Sequence, residues 1–212
     1  GFSAGIDITM FMSDMSLNEN LSSTPQDRRE LMDLVERMQN AFTTIAKSKV
    51  PTIALAHGFC IGGATSLVSA CDIRLATKDA KFSIGETKLG LVADVGVIQR
   101  MPKIVSSGDM NELALTGRIF DGEHAERIRF VSKAYDNSDE LFEAGEKLAN
   151  EISSNSKRIV QATKQALEKS SNLTIDQGLE YAKLWSTSFL VSEDLREGVM
   201  AFLEKRDPKF NE

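Results

Sequence analysis

The stretch His57-Gly58-Phe59-Cys60-Ile61-Gly62-Gly63 constrains this chain more than any other. Ahead of it lies a short apolar run, 51–56, bounded by Pro51 and by His57-Gly58, and behind it lies a small-residue segment, 64–70. Length and flanking breakers make the first a buried strand and the second a helix, so strand, tight turn and helix succeed one another. Consecutive glycines let a backbone approach a ligand closely, and the first N–H groups of a helix have no partner inside it. Such a turn can aim donors at a developing negative charge, which is the task of an oxyanion hole. Gly62-Gly63 serves close packing of helix on strand equally well, and the pair alone does not choose between the two roles.

The rest of the chain fits around that turn. In 26–45 the apolar positions Leu31, Leu34, Val35, Met38, Phe42 and Ile45 recur at three- and four-residue steps, so an amphipathic helix is expected there, packed on the α/β segment after it. Residues 72–76 and 81–84 read as two further short strands, and their alternation with helices predicts a sheet that is at least partly parallel. Beyond Gly96 the pattern is helical at 97–105, 109–115, 124–128, 138–152, 157–170, 175–188 and 193–204, interrupted by a brief strand at 131–134. The expected organisation is an α/β part, 1–135, and then a helical region, 136–212. A polar run with Asn18, Asn20, Ser22, Ser23 and Thr24 ahead of Pro25 reads as a loop. Met10, Met12 and Met15 with Phe11 suit either an ordinary core or the wall of an acyl-chain tunnel.

Composition removes several classes. A net charge of −6 disfavours a general role on nucleic acid, which needs clustered Lys and Arg, whereas a small anionic ligand needs only a local basic spot. No apolar run approaches the roughly 20 residues of a membrane span, so none is expected. Cys60 and Cys71 match neither a CxxC pair nor zinc-ligand spacing and read as buried thiols. His57 and His124 are the only histidines, too few for a multi-histidine metal site, and no metal is expected. A hydrophobic content of 42% is enough for a substantial core at this length.

Five segments, taken in order, carry a resemblance. They are Phe2-Ser3-Ala4-Gly5-Ile6-Asp7-Ile8, Ala56 through Gly63, Ala70-Cys71-Asp72-Ile73-Arg74, Phe82-Ser83-Ile84-Gly85-Glu86, and Gly90-Leu91. Their sequence and spacing resemble the crotonase (enoyl-CoA hydratase/isomerase) superfamily, and the likeness continues through Gln99-Arg100-Met101-Pro102 to Glu197-Gly198 and beyond. The resemblance implies a crotonase fold of repeated β-β-α units with a C-terminal helical trimerisation region, and hence a homotrimer or a dimer of trimers. It implies an acyl-CoA thioester as substrate, with CoA part of that substrate and no separate cofactor. The family carries roughly fifty residues ahead of the Phe-Ser-Ala-Gly motif, on the usual domain scale, so an N-terminal part is expected to be absent from this sequence. The implied compartment is cytoplasmic for a bacterial protein and mitochondrial or peroxisomal for a eukaryotic one.

By the same resemblance the backbone N–H groups of Ala4 and Gly63 form the oxyanion hole, and losing one such donor costs an enzyme that depends on it about 3 kcal/mol. Ser3, Ala4, Asp7 and Ile8 fall where the family holds CoA; Asp7 alone would equally cap a turn. Glu86 occupies the position of the acid/base carboxylate beside C2. Ser66 stands where hydratases of the family carry a second Glu, and a hydroxyl is no carboxylate base at neutral pH, so simple hydration is disfavoured. Dienoyl-CoA isomerases usually carry an acidic residue at that position too, and Ser66 departs from them as well.

Asp94, eight residues after Glu86, lies in a run from Gly90 to Lys103 that closely resembles dienoyl-CoA isomerases. That resemblance implies a proton shift along a diene between two carboxyl groups, in which Glu86 would take the proton at C2 and Asp94 would deliver one at C6. Asp94 also suits the N-cap of a helix over 95–105. The expected activity is conversion of 3,5-dienoyl-CoA to 2,4-dienoyl-CoA in fatty-acid β-oxidation. A 3-enoyl to 2-enoyl-CoA isomerase or a hydratase-like enzyme is the alternative, and a non-catalytic acyl-CoA or RNA-binding relative is the alternative of another class. Against RNA, the basic residues around Lys157-Arg158 and 164–169 are sparse and mixed with Glu168.

Overall fold

The computed structural model describes residues 1–7 and 24–210. The chain groups into two compact units, Gly1–Ser48 with Thr52–Gly145, and Lys49–Pro51 with Glu146–Glu212. The methionine and phenylalanine positions 10, 11, 12 and 15 lie outside the described residues, as does Ile8.

In the first unit, helix α1 (Pro25–Ala46) begins where its sequence dictates. Thr24 accepts from the Asp27 N–H, the Asp27 carboxylate accepts from the Thr24 N–H, and Pro25 occupies a first-turn position where a missing N–H costs nothing. None of the residues of α1 is fully buried, yet the helix packs as expected on the α/β segment after it, with Ile45 against the core and Phe42 beside Gly63. Next come strands β1 (Ile53–Ala56) and β2 (Phe59–Ile61), helix α2 (Gly63–Ala70), and strands β3 (Ile73–Thr77) and β4 (Lys81–Ser83).

Strand β2 corrects the expectation of a single turn over 57–63. Three residues between Gly58 and Gly62 extend and pair in parallel with β4, Ile61 opposite Ser83. Strands β1 and β3 also pair in parallel, with Ile53 opposite Ile73, and β6 (Lys133–Tyr135) adds to β3 in the same direction. Strand β5 (Phe120–Asp121), not foreseen in the sequence, joins β4 antiparallel. The described residues thus hold two three-stranded sheets, ordered β1-β3-β6 and β2-β4-β5. Between the strands sits a core in which Phe82 stacks on Phe120 at 5.5 Å and meets Phe130 edge-on at 5.6 Å. Geometry of this kind adds to the burial of three large rings.

The helix expected over 95–105 is shorter and broken. Helix α3 spans Val97–Arg100 and passes into a 3-10 turn, Met101–Lys103, at Pro102, which has no N–H to donate. Its N-cap is Gly96, not Asp94, which frees the Asp94 carboxyl from a capping role. Helices α4 (Ser107–Thr116) and α5 (Gly122–Arg127) complete this unit, and α6 (Ser138–Ser153) begins in it and ends in the second.

The second unit continues with α7 (Lys157–Ser170), α8 (Ile175–Phe189) and α9 (Glu193–Glu204). Ser156 caps α7 through its side chain and donates to Asp194 at 2.7 Å, and Trp185 stacks on Phe189 at 5.8 Å. No helix among the described residues is long and apolar enough to cross a membrane.

Candidate active site

Gly63 and Glu86 both lie just past the carboxyl ends of adjacent parallel strands, β2 and β4, the usual place for a ligand in such sheets. Gly62 donates to the Ser83 carbonyl at 2.9 Å, and the buried Thr65 hydroxyl lies 2.8 Å from the Cys60 carbonyl and 3.0 Å from that of Ser83. These contacts pin the two strand ends to each other beneath the site. Gly62 has φ 58° and ψ −118°, a conformation that L side chains rarely adopt, and it turns the chain so that Gly63 opens α2. As the first residue of that helix, Gly63 has an N–H with no intrahelical acceptor.

The Phe2-Ser3 segment docks along β2. Phe2 donates to the His57 carbonyl, Ser3 donates to Phe59 at 2.7 Å, and Ile61 donates back to Ser3 at 3.1 Å. Ser3 thereby spends both backbone groups on β2.

A cavity of about 520 Å³ opens at these elements, and Ser3, Gly5, Gly63, Glu86 and Asp94 all line it. Ala4 is exposed and is not itself one of the lining residues, while its neighbours on both sides are. One wall is helix α1, through Leu34, Val35, Met38 and Phe42, and Leu91 and Val92 bring apolar surface from the loop that carries Asp94. The sequence marked α1 as amphipathic but carried no sign that its stripe faces a cavity.

Glu86 sits in a 3-10 turn, Gly85–Leu89, just after β4. One carboxyl oxygen, Oε2, is buried without a hydrogen-bond partner among the described residues, and Oε1 lies 3.6 Å from where a β-carbon would stand on Gly62. Burial raises the Glu86 carboxyl above its ordinary value of 4.5, a hydrogen bond from its own backbone opposes this, and the charge of Asp94 raises it further. A carboxylate with one unsatisfied buried oxygen is primed to accept a proton.

Asp94 is exposed and approaches the same cavity from a loop held by the buried Ala93 and Val95 on either side of it. Gln39 Nε2 donates to the Asp94 carbonyl at 2.7 Å. Arg100 donates through Nη1 to the Val95 carbonyl at 3.4 Å and through Nη2 to Thr43 Oγ1 at 3.1 Å. Neither Gln39 nor Thr43 stood out in the sequence, because polar residues beside an apolar stripe are common to any surface helix.

Ser66 is fully buried in α2, its hydroxyl has no hydrogen-bond partner among the described residues, and it does not line the cavity. Asp7 is exposed. Both cysteines are buried and neither forms a disulfide among the described residues, and burial pushes the Cys60 thiol up to about 12, so it stays protonated at neutral pH.

Comparison with known proteins gives a consistent result. The profile of the family described as Enoyl-CoA hydratase/isomerase matches residues 1–212. A mitochondrial Delta(3,5)-Delta(2,4)-dienoyl-CoA isomerase from Dictyostelium discoideum is 44% identical over 99% of this chain and 71% of that protein. A peroxisomal protein of the same name from Arabidopsis thaliana is 38% identical over 99% of this chain and 75% of that one. Among solved structures, an enoyl-CoA hydratase from Bacillus anthracis superposes with a TM-score of 0.80 at 27% identity, over 92% of this chain and 74% of that chain.

Proposed function

We propose that this chain, which belongs to the enoyl-CoA hydratase/isomerase family, moves the double bonds of a 3,5-dienoyl-CoA into conjugation as the 2,4-dienoyl ester. The fold is that of the crotonase family, which is a family of enzymes. One observation carries the specific reading: Glu86 and Asp94 line a single, largely apolar cavity that also receives Gly63.

In the proposed reaction the thioester carbonyl sits against the N–H groups of Gly63 and Ala4. Glu86 takes a proton from C2, and the electron pair it leaves spreads over the diene and the carbonyl oxygen as a trienolate. Donors fixed before the reaction stabilise that oxygen without having to reorganise. Asp94, in its protonated form, gives a proton to C6, the double bonds settle at C2 and C4, and through solvent Glu86 then loses the proton it took and Asp94 regains one. The unpartnered Glu86 oxygen and its raised proton affinity support the first step, and the Asp94 loop on the same cavity supports the last. The reaction needs no cofactor beyond the CoA that the substrate carries, and Ser3 and Asp7 are proposed to lie along that CoA.

Hydration fits less well. A hydratase of this family would place a second carboxylate at position 66, and the Ser66 hydroxyl is buried away from the cavity. A 3-enoyl to 2-enoyl isomerase would use Glu86 alone, and the deciding experiment is turnover of 3,5-dienoyl-CoA by purified protein, monitored through the ultraviolet absorbance of the conjugated product.

A homotrimer or dimer of trimers is proposed from the helical region, where Ile175 is 83% exposed and Val191 95% in the single chain. Sedimentation of the purified protein tests this. An organellar setting, mitochondrial or peroxisomal, is proposed from the names of the relatives.

A further inference from the structure

We infer that Gln39 is a positioning residue for Asp94, assisted by the Arg100 bridge to Thr43, so that helix α1 sets where the distal carboxyl stands against the cavity. The inference rests on the reading of Asp94 as the acid at C6.

Two consecutive carbonyls, Asp94 and Val95, are each held by a side chain linked to α1. Gln39 reaches the first directly, at 2.7 Å. Arg100 reaches the second and spans to Thr43, which lies one helical turn beyond Gln39. Gly96 lets the guanidinium pass against the backbone: its φ is +117°, and a β-carbon there would stand 1.7 Å from Arg100 Nη1. In this loop Leu91, Val92 and Asp94 are exposed, while Ala93 and Val95 on either side of Asp94 are buried and anchor it. The two hydrogen-bonded ties add to the buried Ala93 and Val95 in fixing the backbone that carries the Asp94 carboxyl, and a proton donor displaced by about 1 Å loses on the order of 100-fold in rate. The same helix lines the cavity with Leu34, Val35, Met38 and Phe42, so one element both meets the acyl chain and fixes the acid.

The test uses Gln39→Leu, which removes the donor from an exposed side chain while keeping the helix, with Thr43→Val as the second variant. Two readouts are needed. The first is turnover of 3,5-dienoyl-CoA beside exchange of the C2 hydrogens of unconverted substrate in D₂O, which needs Glu86 alone. The second is titration of the Glu86 carboxyl by carbon NMR, with and without Asp94→Asn. Expected for Gln39→Leu is a kcat lowered about 10- to 100-fold with KM nearly unchanged and C2 exchange retained. The shift that Asp94→Asn produces in the Glu86 titration should also shrink in the Gln39→Leu background. Retention of both turnover and titration shift overturns the inference, and so does an equal loss of exchange and turnover, which marks a general structural role. If the unaltered protein fails to convert the diene, the functional reading fails, and the titration arm still decides whether Gln39 places Asp94.

Discussion

Asp94 adds its negative charge to the burial that already favours the protonated form of Glu86, and both residues line one cavity. The Glu86 carboxyl thus responds to Asp94 as well as to its burial. Glu86 must be ionised to take a proton from C2, so the acid limb of kcat/KM should lie above the ordinary glutamate range. Asp94→Asn removes the repelling charge and should move the Glu86 titration down, toward the 4.5 of an unperturbed glutamate. Carbon NMR of the carboxyl reads this directly, and an unchanged or upward-moving titration would show that the two groups do not interact.

Replacing Glu86 with Gln should lower turnover by about 100- to 10,000-fold, the usual contribution of a general base. Binding of a non-reacting acyl-CoA should change little, since no contact to CoA is assigned to Glu86. Calorimetric titration beside steady-state kinetics separates the two effects.

The same substitution has an opposite effect on stability. A carboxyl whose proton affinity is raised on folding contributes stability below its unfolded pKa, and that contribution is lost as pH rises through the folded value. Glu86 is such a group, and Gln mimics its neutral form. Glu86→Gln should therefore raise the melting temperature at pH 7 relative to the unaltered protein, and the gain should shrink toward pH 4. A gain that grows on acidification would contradict the raised proton affinity.

Much of this site is legible in sequence because its parts are local. Gly62-Gly63 announces a tight strand-to-helix passage, and Glu86 and Asp94 come from short segments whose spacing carries the family pattern. The features that escaped the sequence are set by partners distant in the chain. Strand β2 is three residues long between two glycines, and only its pairing with β4 and its bridge to Ser3 make it a strand. Strand β5 is a two-residue partner of β4. Pro102 signalled the break in the helix after Gly96, but periodicity ran through it. The apolar stripe of α1 has the period of a core helix, and period alone does not distinguish a stripe that faces a core from one that faces a cavity.

Ser66→Ala tests whether the hydroxyl takes any part. A buried hydroxyl without a partner is costly, so its removal should leave stability unchanged or raise it by up to about 1 kcal/mol. Turnover should stay within about two-fold, a change of under about 0.5 kcal/mol in the barrier. Chemical denaturation and kinetics on the same sample check both, and a large loss of turnover would place Ser66 in the reaction.

Gly62→Ala should be destabilising by more than about 1 kcal/mol, because alanine is strained at φ 58°. The variant should also turn over more slowly, since Gly62 leads into the Gly63 N–H. Its unfolding midpoint in urea and its kcat are the two readouts.

The most direct test is the rate of conversion of 3,5-dienoyl-CoA by the purified protein and by Asp94→Asn, read from the absorbance of the conjugated product. The two-carboxylate account predicts conversion by the unaltered protein and a loss of about 100-fold or more in Asp94→Asn, with C2 exchange in D₂O surviving through Glu86. Conversion by Asp94→Asn at the unaltered rate, or no conversion by the unaltered protein, would contradict it.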